Sequence, residues 1–301
     1  MNTKQLIYVL TLANEMSFSQ AAETLNISQP SLSQYIKRIE KEIGIELFDR
    51  TNGDVRITDA GKVYISTARQ ILDLERQMES DLSDIAGNCA GTIVVGAAPY
   101  RTASMMPTVA SAFQKLYPGM HLIVREGTTV ELAEGMERGE YDLALTLLPV
   151  DERIFAYEKV MEEELVLAVP RTYSQFAANP IPNRRYPAIG AAVLNNQKFV
   201  MLTESQYMQK QLRNLLIDRT IKVHPAAVVK SMEAQIEFVK AGIGMALMPS
   251  GIEQFCKDSS VVFYSFIEPL PKREVVLMWR KDQKLSKVAE ELKNLFHSFS
   301  W

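Results

Sequence analysis

A pair of helical patterns that meet at a tight turn constrains the first part of this chain most strongly. The first pattern covers residues 20–25, where two alanines allow another helix to approach closely, and Asn26 supplies the turn. Ser28 then caps a second helix, and Pro30 stands in its first turn, where a missing amide proton costs little. The second helix carries apolar residues at the spacing of one buried face: Leu32, Ile36, Ile39 and Ile43.

The opposite face of the second helix is predicted to be polar and exposed. At about 100° per residue, that face collects small, polar and cationic side chains: Pro30, Ser33, Gln34, Lys37 and Lys41. Apolar residues at helical spacing also predict an earlier helix over about residues 3–15. Together these elements indicate a helix-turn-helix, whose second helix can enter the major groove of DNA.

The order of residues over the first 60 positions is more specific than this geometry. The segments that carry it are Phe18–Ala22, Ile27–Ser33, Ile39–Gly44, Leu47–Arg50 and Ile57–Gly61. This succession closely resembles the N-terminal signature of the LysR-type transcriptional regulators. The resemblance implies an N-terminal all-α winged helix-turn-helix, a long linker helix, and a C-terminal α/β effector domain. That effector domain is expected to have two Rossmann-like lobes, as in periplasmic binding proteins.

The resemblance also implies which side chains meet DNA. Base edges would be contacted by Gln29, Pro30 and Ser33, and Gln29 has the chemistry to bond an adenine through two hydrogen bonds. Cations fix the register on phosphates without reading sequence. The residues expected near phosphates are Ser31, Lys37, Arg38 and Arg50, and the wider DNA-contacting set adds Ser28, Gln34 and Arg56. For Gln29, Lys37 and Arg38, an ordinary solvated position is the alternative.

The wing of this motif departs from the family pattern. Asn52-Gly53 is a strong signal for a two-residue hairpin, but Gly53 and Asp54 stand where relatives usually carry an arginine. Residues 1–58 hold six Lys and Arg against seven Asp and Glu, and the whole chain has a net charge of −3. We therefore expect weaker nonspecific affinity for DNA than in a basic relative, offset by the avidity of an oligomer.

A single long helix is predicted after the wing. Thr58 can cap it, Asp59 lies in its first turn, and Gly87 would end it. From Thr58 to Ala86 the helix would span about 43 Å at 1.5 Å per residue. Its apolar residues follow a heptad-like pattern: Tyr64, Ala68, Ile71, Met78, Leu82 and Ile85. Dimerisation through this helix is the interpretation we favour, and packing against its own domain is the alternative.

Beyond Gly91 the chain alternates β-rich runs with helical stretches, which is typical of an α/β fold with largely parallel strands. The strands are expected at 92–97, 121–126, 141–147, 164–169, 198–202, 225–229, 244–248, 261–266 and 274–279. The expected domains are therefore 1–58 for DNA binding, 59–87 for the linker helix and 91–301 for effector binding. By resemblance, the first lobe covers 91–161 and 268–301, and the second lobe covers 162–267.

Polar groups follow several of the predicted strands, where α/β sheets commonly bind ligands. The candidate effector-binding residues are Tyr100, Arg101, Thr102, Thr128, Thr203, Glu204, Ser231 and Met232. Arg101 could clamp a carboxylate, while Glu204 would either pair with Arg101 or favour a ligand with an amine. For each of these residues, simple helix capping is the alternative to ligand contact.

Other classes of protein fit the sequence less well. The three histidines are scattered, and no nucleophile, phosphate-binding or metalloprotease motif is present, so no enzyme, cofactor or metal site is expected. Cys89 and Cys256 are far apart and are expected to be reduced thiols. A solute-binding protein would share the hinged lobes, but the helix-turn-helix and the expected lack of a signal peptide argue against it.

The expected function is therefore sequence-specific DNA binding controlled by a small-molecule effector between two lobes, in the cytoplasm and without contact with a membrane. The expected partners are double-stranded DNA, an organic acid or amino acid, further copies of the chain as a dimer or tetramer, and RNA polymerase. A regulator that acts by occupancy, without an effector, is the alternative.

Overall fold

The computed structural model describes residues 2–50, 54–85, 91–173, 176, 178, 180–182, 184–204, 206–256, 259–268 and 270–301. The turn predicted at Asn52-Gly53, the helix stop at Gly87 and the thiol of Cys89 lie outside these residues. The helices are α1 (Thr3–Glu15), α2 (Phe18–Thr24), α3 (Gln29–Ile43), α4 (Asp59–Ile85), α5 (Pro99–Ser104), α6 (Met106–Leu116), α7 (Thr129–Glu137), α8 (Tyr207–Asp218), α9 (Met232–Lys240) and α10 (Lys287–Ser298).

Thirteen strands occur in the described part of the chain. They are β1 (Phe48–Asp49), β2 (Arg56–Ile57), β3 (Gly91–Ala97), β4 (Met120–Glu126), β5 (Leu143–Leu147), β6 (Phe155–Glu163), β7 (Leu165–Pro170), β8 (Ala188–Ile189), β9 (Lys198–Leu202), β10 (His224–Val229), β11 (Ala246–Pro249), β12 (Val261–Phe266) and β13 (Arg273–Arg280).

Side-chain caps set the starts of the first three helices, and the cap at Ser28 is the one that the sequence predicts. The side chains of Asn2, Ser17 and Ser28 each accept a hydrogen bond from a backbone N–H in the first turn of α1, α2 and α3. One prediction about α3 is wrong. Ile43 is 46% exposed because it lies in the last turn, and Gly44 follows it in the left-handed conformation that ends the helix. Leu32, Ile36 and Ile39 form the buried face.

The start of α4 is fixed against the segment that follows α3. The Thr58 hydroxyl donates to the Glu46 carbonyl at 2.8 Å and accepts from the Gly61 N–H at 2.9 Å, so Thr58 caps the helix as predicted. A Cβ atom at Gly61 would lie 2.2 Å from the Leu47 carbonyl oxygen, which explains why only glycine fits this turn. The long helix and the wing strands therefore pack as one unit.

The first sheet beyond α4 has five strands in the order β4-β3-β5-β13-β6. The first three run parallel, but β13 is antiparallel to both β5 and β6. The expectation of largely parallel strands is therefore wrong for this half of the sheet. Helices α6 and α10 cover one face, where their apolar residues join the largest buried cluster.

Strand β6 is absent from the sequence prediction. It lies at the edge of the sheet and mixes apolar with charged residues, so it lacks the continuous apolar run of a buried strand. Its charges are paired with neighbouring elements: Glu158 with Lys293 at 2.8 Å and Lys159 with Glu274 at 2.7 Å. Such a strand is specified by pairing with β13, which comes more than a hundred residues later in the chain.

The remaining strands form a second body. A four-stranded sheet has the order β11-β7-β12-β8, and the parallel pair β9 and β10 lies beside it through a bridge between Phe199 and Met245. Only Glu164 separates β6 of the first sheet from β7 of the second, and the chain returns from β12 to β13. Two connections therefore cross between the bodies at neighbouring positions.

Candidate functional site

The N-terminal half of α3 presents an exposed, mostly polar surface. The Ser28 and Ser31 hydroxyls lie 2.7 Å apart, and the Ser28 oxygen accepts from the Ser31 N–H. Because the opposite face is held by the buried residues of α3, this end of the helix is rigidly oriented toward solvent. The exposed residues from the predicted DNA-contacting set are Ser28, Gln29, Pro30, Ser31, Gln34, Lys37, Arg38 and Arg56, and Ser33 and Arg50 are half-buried.

An aromatic stack supports one of the cations on α3. The Arg38 guanidinium lies 4.5 Å from the centre of the Tyr35 ring, and the Tyr35 and Tyr8 rings are 4.7 Å apart. A guanidinium on an aromatic face loses less conformational freedom on binding than a free one. Arg38 is therefore held close to the orientation in which a phosphate could be met.

Arg50 has an internal partner that the sequence analysis missed. Its guanidinium lies 2.6 Å from a carboxylate oxygen of Glu40, and the other Glu40 oxygen accepts from the N–H groups of Leu47 and Phe48 at 3.0 and 3.1 Å. Arg50 also stacks on Phe18 at 5.0 Å. Glu40 thus connects α3 to the first strand of the wing. These contacts explain why an acidic residue occupies the buried side of this helix.

Around the start of β2, the wing carries one acidic and one basic side chain. Arg56 lies 3.9 Å from Asp54, and both side chains are about three-quarters exposed. An exposed pair of this length contributes little stability and is readily exchanged for other partners. Arg56 is therefore available to a phosphate, while Asp54 opposes binding at the same place.

A second candidate site lies between the first sheet and α9. It is a cavity of about 40 Å³, close to the volume of one water molecule. The polar residues that line it are Tyr100, Arg101, Thr129, Thr146 and Arg273. The apolar wall consists of Ala98, Leu132, Leu145, Leu147 and Met232. From the predicted effector set, the cavity therefore brings together Tyr100, Arg101 and Met232.

Two buried arginines share one carboxylate at this cavity. Arg101 of α5 and Arg273 of β13 are each 5% exposed, and both form ion pairs with Oε1 of Glu163, which is 2% exposed. Glu163 and Arg273 are direct cross-strand partners at the ends of β6 and β13. Burial lowers the pKa of the Arg273 guanidinium, and the nearby Glu163 carboxylate opposes that shift. The group of three side chains carries one more positive charge than negative.

Several polar atoms around these arginines have no hydrogen-bond partner among the described residues. They are Oγ1 of Thr146, Oε2 of Glu163 and Nε of Arg273. Buried polar groups are almost always paired, because an unpaired one costs about 1–3 kcal/mol. Unused donors and acceptors beside a small cavity are what a ligand site requires.

Tyr100 joins the two bodies at the same place. It belongs to α5, yet its ring is 2% exposed within the cluster formed by Val166, Ala168 and Met248 of the second sheet. The ring also packs on Phe255 with centres 6.2 Å apart. Burial raises the pKa of the Tyr100 hydroxyl to about 12, so it stays protonated at neutral pH.

Five residues of the predicted effector set do not line the cavity. Thr128 and Ser231 are helix caps, with side-chain oxygens that accept from Glu131 and Ala234, as the alternative interpretation proposed. Thr102 donates to the Ala98 carbonyl at 3.4 Å. Thr203 is half-buried and bonds through its backbone to Val229, and Glu204 is exposed.

Of the two roles considered for Glu204, the pairing with Arg101 is wrong, because Arg101 pairs with Glu163. Sequence reasoning also missed Thr146 and Arg273. An arginine at the head of the apolar run 274–279 and a threonine inside the apolar strand 143–147 were the available signals, since buried polar residues need a reason. Glu163 was missed as well. Its signal was weaker, because it is the middle one of three consecutive acidic residues.

The described ranges contain no cluster of three or more His, Cys, Asp or Glu side chains arranged to hold a metal ion. Within the same part of the chain, no helix is both long and apolar enough to cross a bilayer. Neither observation points to a function of its own.

Comparisons with known proteins bear on both candidate sites. A family model described as a bacterial regulatory helix-turn-helix protein of the lysR family matches residues 3–62. A second model, described as the LysR substrate binding domain, matches residues 86–300. The interval between the two matches falls within the long helix α4, and together they account for most of the chain.

Relatives are similar over most of their length. The DNA-binding transcriptional dual regulator OxyR of Escherichia coli is 25% identical, over 97% of this chain and 93% of its own. The uncharacterised regulator YwbI of Bacillus subtilis is 27% identical, over 100% of this chain and 97% of its own.

Solved structures share the fold. A full-length OxyR from Pseudomonas aeruginosa, in which one cysteine is replaced by aspartate, superposes with a TM-score of 0.71 at 24% identity, covering 100% of this chain and 96% of that chain. CbnR, a LysR family transcriptional regulator, gives a TM-score of 0.61 at 19% identity and 99% coverage of both chains. With its helix-turn-helix, long helix and two-sheet sensor region each matched, this chain belongs to the LysR family of DNA-binding transcriptional regulators with an effector domain.

Proposed function

We propose that this regulator reads operator DNA with the exposed start of α3 and that a small organic acid, bound between its two lobes, changes how the DNA is held. The effector part of the proposal is carried by one observation. Among the described residues, Arg101 and Arg273 are buried beside a cavity and share the Glu163 carboxylate, and unpaired polar atoms lie next to them. An arginine pair in such a place suits a ligand carboxylate.

The DNA part of the proposal assigns separate tasks to the residues on α3 and the wing. Gln29, Pro30 and Ser33 meet base edges in the major groove. Ser28, Ser31, Gln34, Lys37, Arg38, Arg50 and Arg56 position the protein on phosphates. The exposure of Gln29 and Lys37 and the stacking of Arg38 on Tyr35 support this assignment.

The domain layout follows from the same proposal. Residues 1–58 bind DNA, 59–87 form the linker helix, and 91–301 form the effector domain. Its first lobe comprises 91–161 and 268–301, and its second lobe comprises 162–267. Dimers or tetramers that act in the cytoplasm and contact RNA polymerase complete the proposal. Exposed apolar residues on α4, among them Met78 and Leu82, support pairing through that helix.

The chemistry of the cavity favours a carboxylic acid with an apolar remainder. Leu132, Leu145 and Leu147 form a wall that a hydrocarbon chain or ring could contact. Some relatives are named hydrogen peroxide-inducible genes activators. Peroxide acts on thiols, and none of the described residues that line the cavity is a cysteine. We therefore propose a ligand that binds without covalent chemistry.

Regulation by occupancy alone is the second candidate. It is favoured by the size of the cavity, about 40 Å³, and by the Tyr100 ring that closes the gap between the lobes. A regulator that never opens would bind DNA in one way only. Thermal unfolding of the full chain with a panel of organic acids separates the two, because a ligand of the folded state raises Tm.

The test is DNA footprinting with and without the acid that raises Tm, on the wild type and on Arg101→Ala. We expect the acid to change the length or bending of the wild-type footprint with only a modest change in affinity, since allosteric coupling is typically about 1–3 kcal/mol. Arg101→Ala should keep DNA binding and lose the change. Arg219→Ala, which removes a surface ion pair with Glu268, is the matched control.

Two results would contradict the proposal. Complete release of DNA by the acid would replace it with simple derepression, and an unchanged response in Arg101→Ala would move the effector site elsewhere. If no acid in the panel raises Tm of the wild type, occupancy without an effector becomes the better description.

A further inference from the structure

The packing of the lobes does not require an acidic residue at position 163, where Glu163 is buried. It is an acid at the end of an edge strand, and its side chain turns inward to two arginines instead of outward to solvent. Its neighbour Glu162 does the opposite, pairing at the surface with Lys159 and Lys272 at 2.6 and 3.2 Å. The two adjacent acids therefore have different roles.

Burying three charged side chains is costly when their partners are incomplete. Taking a charge out of water costs several kcal/mol per ion, and the loss is recovered only where every donor and acceptor is used. Here one carboxylate oxygen serves both guanidinium groups, while Oε2 of Glu163 and Nε of Arg273 have no partner in the described part of the chain. The group is one negative charge short of neutrality.

The two ion pairs differ in their connection to the fold. Glu163 and Arg273 are held opposite each other by the backbone pairing of β6 and β13. Arg101 belongs to the short helix α5, which carries Tyr100 into the second sheet. The pair between Glu163 and Arg273 is thus internal to the crossing strands, whereas the pair with Arg101 joins those strands to α5.

We propose that Glu163 is an internal counter-carboxylate, and that the carboxylate of a small organic acid replaces it at Arg101 while Glu163 remains with Arg273. The exchange gives each arginine one carboxylate and makes the group neutral. The unpaired Thr146 hydroxyl faces the same cavity and can donate to the incoming carboxylate. This inference rests on the proposed effector site, and it names the step by which binding reaches α5.

The exchange explains selectivity as well as coupling. A monocarboxylate brings the summed charge of Arg101, Arg273 and Glu163 to zero, whereas a neutral analogue of the same shape would leave Glu163 in place. An acid that takes over Arg101 releases α5 from the crossing strands, so binding biases the angle between the lobes. Glu163 is in this sense a positioning residue that competes with the ligand.

The experiment uses thermal unfolding of the full chain at constant ionic strength, with sodium acetate as the probe, acetamide as its neutral counterpart and chloride as the reference anion. Wild type, Glu163→Gln and Glu162→Gln are compared. In Glu163→Gln the internal competitor is gone and the arginines lack an anion. We expect acetate to raise Tm of this variant at a concentration at least about fivefold lower than for the wild type. A change of this size lies within the usual range of coupling between two binding sites.

Acetamide should have no such effect, and Glu162→Gln should respond like the wild type. The double variant Glu163→Gln with Arg101→Met should lose the acetate response, which assigns the response to this site. If Glu163→Gln does not fold, Glu163→Asp takes its place. Its shorter carboxylate can remain with Arg273 but reach Arg101 poorly, so its acetate response should also exceed that of the wild type.

An acetate response in Glu163→Gln that is no stronger than in the wild type, or that survives loss of Arg101, overturns the inference. This result is distinct from failure of the proposed function. Strong rescue by acetate without any acid that alters the wild-type footprint would support the exchange and reject the regulatory role. An effector response that needs Arg101, without a stronger acetate response in the Glu163 variants, would support the regulatory role and reject the exchange.

Discussion

Arg280 of β13 and Asp73 of α4 form an ion pair of 2.9 Å in which both side chains are less than a tenth exposed. This contact joins the long helix to the sheet that carries Arg273 at its other end. Arg280 also pairs with Asp282 at 2.7 Å, and that partner is half exposed. The first pair therefore connects two parts of the molecule, while the second remains local.

Asp73→Ala should lower the free energy of unfolding by about 1–3 kcal/mol, because it leaves a buried guanidinium with one partner fewer. Denaturant unfolding measures the loss. Asp282→Ala, which removes a solvated carboxylate, is the control and should cost less. Equal losses in the two variants would show that the buried pair of Asp73 and Arg280 contributes no more stability than the local pair of Arg280 and Asp282.

Gln29→Ala should reduce discrimination at one operator position by about 1–3 kcal/mol, since a bidentate contact with a base is lost. Lys37→Ala should instead weaken all DNA sequences similarly and lower the salt slope by about 1, because it removes one phosphate contact. Binding to operator variants at several salt concentrations separates the effects. Unaltered affinity and sequence preference in Gln29→Ala would mean that another surface reads the bases.

Glu40→Ala should destabilise the DNA-binding region by about 2–4 kcal/mol. The change leaves the N–H groups of Leu47 and Phe48 without their acceptor and removes the partner of Arg50. Circular dichroism during thermal unfolding should show an earlier transition. Glu42→Ala is the control and should cost less, because Glu42 is an exposed acid on the same helix that accepts one hydrogen bond, from the Gln5 side chain at 3.1 Å. A similar transition in both variants would refute the role given to Glu40.

Leu82→Asp should prevent pairing of α4 with a second copy and abolish operator binding. Leu82 is 58% exposed in the single chain, and a charge there would be buried in an apolar contact. Light scattering gives the mass. Leu116→Asp is the matched control, since Leu116 is 56% exposed at the end of α6. A dimeric Leu82→Asp together with a monomeric Leu116→Asp would move the interface to the sensor region.

Local signals made the first 60 residues readable from the sequence. Caps such as Ser28 and Thr58 act within one helical turn, and the four-three spacing of Leu32, Ile36 and Ile39 needs no knowledge of distant residues. The error at Ile43 has the same origin. Spacing continues to the last turn of a helix, whereas the core that covers the helix ends earlier.

Pairing between distant segments is what the sequence did not reveal. Glu163 and Arg273 are 110 residues apart, and nothing in the local composition of either segment indicates that they meet. The same reason hid β6, whose charged residues find partners on distant segments such as β13 and α10. At the cavity the sequence predicted Tyr100, Arg101 and Met232, because these residues follow strands, and it missed Thr146, which lies within one.

At the proposed effector site, the position of the Tyr100 ring in the second sheet sets a threshold for ligand binding. Any acid larger than the present cavity must widen the gap and withdraw this ring from its apolar surroundings, at a cost of about 2 kcal/mol. Such a cost weakens the apparent affinity of the effector by about 30-fold relative to a preopened protein. The proposed site would then fill only at effector concentrations about 30-fold above those that a preopened site would need.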